Sequence, residues 1–126
     1  MTNNTLVLQI CRFSIAFVWL YQGLVPKLLG PHQDELFMNR AAGMSEATAT
    51  LIPYAGGELE MLLGVLILVF YKDRWPFLVT IIAMLVLFVL SAIYAPMFII
   101  SAFNSTTINL SIVALSAIAL VCQRRE

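Results

Sequence analysis

Arg12 and Lys27 stand inside an otherwise apolar run, CRFSIAFVWLYQGLVPKLLG, at residues 11–30. A second run, YAGGELEMLLG at residues 54–64, carries Glu58 and Glu60. Opposite charges in two neighbouring apolar segments suit three kinds of chemistry: an ion pair that locks two helices, a proton or anion relay, and a polar lining for a small ligand. An arginine near the middle of a span costs about 2.5–3.5 kcal/mol on insertion scales, so it requires a partner or a wet cavity.

Helical spacing sorts these residues. Arg12, Ala16, Trp19, Gly23 and Lys27 fall on one narrow stripe at 3.6 residues per turn. Glu60 lies between Gly56 and Gly64, each four residues away, so another helix can approach its face closely. Glu58 points about 200° away from Glu60 around the same helix. The apolar residues of this span gain only about 5 kcal/mol on insertion, which two uncompensated carboxylates would erase. The expected pairs are therefore Arg12 with Glu60 and Lys27 with Glu58, with water or another subunit as the alternative surroundings of Glu58.

Two further segments have polar residues at the same spacing: Thr80, Met84, Leu87, Ser91 and Tyr94 in one, and Ser105, Asn109, Ile112 and Ser116 in the other. The expected polar cluster, a candidate ligand-binding site, comprises Arg12, Trp19, Gln22, Lys27, Glu58, Glu60 and Asn109. Gly23, Gly56 and Gly64 are the expected points of close helix packing. The competing reading is purely structural, because buried pairs and interhelical hydrogen bonds also set helix register.

The elements that must position these residues are transmembrane helices. Of 126 residues, 61% are hydrophobic and only 11% charged, and the mean hydropathy is +0.93. A core this small cannot enclose so much apolar surface, so the remainder must face lipid. Four spans are expected, at about residues 6–24, 51–71, 75–94 and 106–122. They predict an all-α fold, an antiparallel four-helix membrane bundle forming a single domain over 1–126. YKDRWP at 71–76 is a tight charged turn with Pro76 in the first turn of the next helix, which makes the second and third spans antiparallel neighbours. NSTT at 104–107 offers N-cap side chains to the fourth. The first outer loop contains DELFMNRAAGM, whose periodicity predicts a short amphipathic segment at the interface.

Lys72, Arg74, Arg124 and Arg125 gather on one side, against Lys27 and Arg40 on the other. The positive-inside rule then places both termini in the cytoplasm. The N-terminus lacks the basic region and cleavage site of a signal peptide, so the first span is expected to stay. A formal charge of zero provides no basic field for nucleic acid. His32 is alone, so no metal site is expected, and Cys11 and Cys122 read as buried apolar residues. No dinucleotide, phosphate-loop or hydrolase motif is present, and no cofactor is evident from the residues.

Arg12, Trp19, Gly23, Pro26 and Lys27, followed by Glu60 and Gly64, give the chain a resemblance to the DoxX-like family of small four-helix bacterial membrane proteins. The resemblance runs over nearly the whole length, and the fourth helix shares it by hydropathy alone. It implies an inner-membrane protein linked to redox enzymes. Some relatives are subunits of a thiosulfate to quinone oxidoreductase, others act with soluble oxidoreductases in thiol stress, and others are fused to epimerase-like domains. The expected function is an accessory or binding subunit for a redox system or for a lipid-soluble molecule such as a quinone, more an accessory than an enzyme on its own. The expected partners are the lipid bilayer, a soluble or membrane oxidoreductase, and further copies of the chain. The alternatives are a proton-coupled or anion transporter built by an oligomer, and a structural membrane anchor.

Overall fold

The computed structural model describes residues 2–25, 32–100 and 105–125. These form five α-helices: α1 (Asn3–Gly23), α2 (Gln33–Ala41), α3 (Glu46–Val69), α4 (Trp75–Tyr94) and α5 (Ser105–Arg125). A single 3-10 turn, Pro96–Phe98, follows α4, and no strand occurs among the described residues. Helices α1, α3, α4 and α5 are long and apolar enough to cross a membrane. Their outward positions are large and apolar, as at Phe17, Leu51 and Ile82, each more than 60% exposed. Lipid is the solvent such a surface requires.

Local chemistry sets the helix ends. Thr2, His32 and Ser45 cap α1, α2 and α3 by accepting the backbone N–H of Thr5, Asp34 and Thr48. Helix α2 stops in a Schellman turn. Gly43 takes φ +88°, and the N–H of Met44 returns to the carbonyl of Asn39. The turn leads directly into the Ser45 cap of α3, and Arg40 braces it with a two-bonded ion pair to Glu46, at 2.8 and 3.1 Å.

Helix α3 contains Pro53, which has no N–H to give the carbonyl four residues back. That carbonyl belongs to Ala49, and it accepts instead from the side-chain amide of buried Asn39, at 3.1 Å. The amphipathic segment expected in the first loop is thus the nine-residue α2, tied to α3 where the α3 ladder is broken.

Helix α1 packs between α3 and α5, α4 packs on α5, and α2 rests on the α3 and α4 ends at what we call the apical end of the bundle. The basal end carries the start of α1, the turn at 70–74 and the end of α5. Although this turn joins α3 directly to α4, the two touch little. The second and third spans are therefore not the close neighbours their short connection predicts. Small residues explain the difference. A Cβ on Gly23 would meet the Gly57 carbonyl at 2.6 Å, and one on Gly64 would meet Leu20 Cγ at 2.8 Å and the Ala16 carbonyl at 3.2 Å. Those contacts draw α1 onto α3. The buried face of α4 presents the bulkier Phe77, Thr80, Met84 and Ser91. Gly57, rather than the half-buried Gly56, is the residue beneath Gly23. The face is displaced one position because the buried stripe of α3 runs through Ala49, Pro53, Gly57, Glu60, Gly64 and Ile67.

Candidate polar site in the bundle core

Arg12 is a basal residue, and it does not meet Glu60. Its Nε donates to the carbonyl of Leu68 at 3.0 Å, Nη2 donates to the same oxygen, and Nη1 donates to Gln9 Oε1 at 2.9 Å. Its guanidinium lies 3.9 Å from the ring centre of Tyr71 and 4.9 Å from that of Phe13. Leu68 belongs to the last turn of α3, where backbone carbonyls lack an intrahelical donor. The arginine therefore closes a helix end and stacks on aromatic rings. Glu60 lies eight residues, about 12 Å, further along α3, so the expected Arg12–Glu60 pair is corrected to an arginine on a helix terminus.

Two more side chains do similar work at this end. Arg74 Nη1 donates to the Leu120 carbonyl at 3.2 Å, and Gln123 Nε2 donates to the carbonyls of Tyr71 and Asp73, both at 2.8 Å. Together they join α1, α3, the 70–74 turn and α5 through backbone oxygens.

A second polar layer lies deeper. The α1–α3 contacts place 12 with 68, 16 with 64 and 23 with 57, so position 20 stands opposite Glu60. One residue basal of that height, buried Trp19 donates its indole N–H to Thr80 Oγ1 at 3.1 Å, linking α1 to α4. Thr80 passes its own hydrogen back to the Pro76 carbonyl, at 2.8 Å. In α5, Ser116 is fully buried and Asn109 is 6% exposed. The α4–α5 contacts through Arg74 and Gln123 set Ser116 near the height of Thr80, and Asn109 lies about 10 Å from Ser116 toward the apical end. Trp19, Glu60, Thr80, Ser116 and Asn109 thus occupy one layer about 10 Å thick, and every spanning helix contributes to it. Asn109 Oδ1 and Ser116 Oγ are enclosed and have no hydrogen-bond partner among the described residues.

The other expected members lie elsewhere. Glu58 is exposed on the side of α3 turned away from the bundle, and no described residue pairs with it. It does not belong to the buried cluster, as its 200° separation from buried Glu60 requires. Gln22 is half-buried and makes no described hydrogen bond. Lys27, Pro26 and Asn104 lie outside the described residues, as does the side chain of Ser105. Reasoning from sequence missed the basal set of Gln9, Arg74 and Gln123. Gln9 accepts from Arg12, and the partners of Arg74 and Gln123 are backbone oxygens, which leave no mark on residue type.

Apolar outward faces on four spanning helices, around a mainly apolar core that encloses a few polar side chains, define a polytopic helical membrane protein. More specifically, the chain belongs to the DoxX-like family, whose sequence profile matches residues 16–117. The match takes in Trp19, Glu60, Thr80, Asn109 and Ser116 and begins beyond Arg12. Comparison with curated proteins and with solved structures gave no match.

Proposed function

We propose that this DoxX-like protein is a binding or accessory subunit of a redox system in the bacterial inner membrane, holding a lipid-soluble molecule of the quinone class in its core. The observation that carries the reading is the pair of enclosed polar atoms, Asn109 Oδ1 and Ser116 Oγ, in the same layer of the core as buried Glu60. A buried polar atom without a partner costs about 1–3 kcal/mol, and a ligand that satisfies it recovers that cost. The two atoms suit a quinone–quinol head. Asn109 Oδ1 takes a hydroxyl hydrogen of the quinol, and the Ser116 hydroxyl donates to a head-group oxygen of either redox form. The loosest side of the bundle, between α3 and α4, is the side from which an acyl-chain-soluble molecule would reach that layer. A partner oxidoreductase would supply the electron chemistry.

A transport route built on an exchanging Arg12–Glu60 pair has no support, because the guanidinium is engaged at the basal end about 12 Å away.

The test is extraction of small molecules from protein purified in mild detergent, read by mass spectrometry. The parent should retain a quinone. Asn109→Leu and Ser116→Ala should each retain about tenfold less per hydrogen bond removed, while the purified bundle keeps its helicity. Equal retention by parent and variants, or none by either, overturns the reading.

A further inference from the structure

Glu58 lies 12 residues from the start of α3 and 11 from its end, roughly 18 and 16 Å along the axis. It therefore sits at mid-helix, on the face opposite the buried stripe. Exposed Leu51 and Ala55 flank it on the apical side, and exposed Leu62, Val65 and Val69 on the basal side. Within the described spans, no other charged side chain is exposed away from a helix end. Acyl chains offer such a group neither hydrogen bonds nor counter-charge, and intramembrane ionisable residues face protein or water rather than lipid. Something polar must cover this position.

We propose that the Leu51–Ala55–Glu58–Leu62–Val65–Val69 face of α3 is the interface of a homodimer, in which Glu58 meets Glu58 of a second copy across a two-fold axis normal to the membrane. Spacings of four, three, four, three and four residues form the seam of a left-handed helix pair, and one polar residue in such a seam fixes register. Two copies inserted with the same orientation bring their α3 helices together in parallel, so each position faces itself. A carboxylic acid is self-complementary in that arrangement, because its O–H donates and its carbonyl oxygen accepts. The outward membrane faces of α1, α4 and α5 present no cation among the described residues. Among the described residues, head-to-tail association therefore offers Glu58 no salt bridge on these faces, whereas the two-fold arrangement needs no second residue. This proposal is independent of ligand binding in the core.

Cysteine cross-linking in native membranes tests it with Glu58 intact. Ala55→Cys and Leu62→Cys lie in the seam, while Ile52→Cys and Leu59→Cys lie on its flanks; the parent with its two buried cysteines is the control. Mild oxidation should yield disulfide-linked dimers from the two seam variants and not from the flank variants or the parent. In the Leu62→Cys background, Glu58→Gln should retain the dimer because an amide both donates and accepts. Glu58→Lys, which only donates and repels its own copy, should abolish it. Absence of dimer from the seam variants, equal dimer from all four positions, cross-linking to a different protein in its place, or a dimer that persists with Glu58→Lys overturns the proposal. The seam-against-flank comparison stands even where the lysine variant fails to insert.

Discussion

Arg12 illustrates how a charge in an apolar segment is accommodated without an opposite charge. Its guanidinium takes the Leu68 carbonyl, the Gln9 amide oxygen and the Tyr71 ring, so its neutralising field comes from a helix C-terminus and a π-face. Arg12→Leu removes donors from a helix end and should lower stability by about 1.5–3 kcal/mol. Arg12→Lys should recover only part of this, because an ammonium lacks the planar fork that serves Leu68 and Gln9 together. Thermal unfolding in detergent checks both, and a lysine variant as stable as the parent would refute the stacking-and-fork account. The same residue marks the limit of sequence reading. Helical period alone directs Trp19, Glu60 and Asn109 inward and Glu58 away from Glu60, since angle around one helix is a local property. The partner of Arg12 depends on the axial register between two helices, and a backbone carbonyl exists at every position to receive it.

At the scale of elements, the four spans are legible from hydropathy, because twenty apolar residues have few other fates. Their neighbour relations are not, because a short turn constrains two helix ends without specifying how long they stay together. Small residues decide that, and α1 and α3 hold them. The α2–α3 junction yields a prediction about coupling. Asn39→Leu should cost about 1–3 kcal/mol by leaving the Ala49 carbonyl without a donor. Pro53→Ala, which restores a backbone N–H to that carbonyl, should reduce the cost of Asn39→Leu to well under half. A double-mutant cycle by chemical or thermal unfolding gives the answer, and strictly additive effects would show that the amide and the proline do not share the oxygen.

For the whole molecule, the basal hydrogen bonds gather Lys72, Arg74 and Arg124 at one end, opposite α2. We propose from the positive-inside rule that the basal end is cytoplasmic. A membrane-impermeant maleimide should label Glu46→Cys in intact cells, and should label Asp73→Cys only after the membrane is opened; the reverse pattern would invert the assignment. The bundle also separates its polar resources by depth. The basal layer directs its donors to backbone oxygens, whereas the deeper layer encloses the unpartnered Asn109 Oδ1 and Ser116 Oγ, the atoms on which the proposed binding rests.

The reciprocal numbering of α1 and α3, in which 12 faces 68 and 23 faces 57, has a consequence for how such chains diverge. Deleting or inserting one residue between these anchors would swing half of a helix by about 100° and carry a glycine out of its notch. Changes of length are therefore tolerated before Arg12, beyond Gly23 and in the connecting loops, while the stretch between them admits replacement of side chains but not a change in their number.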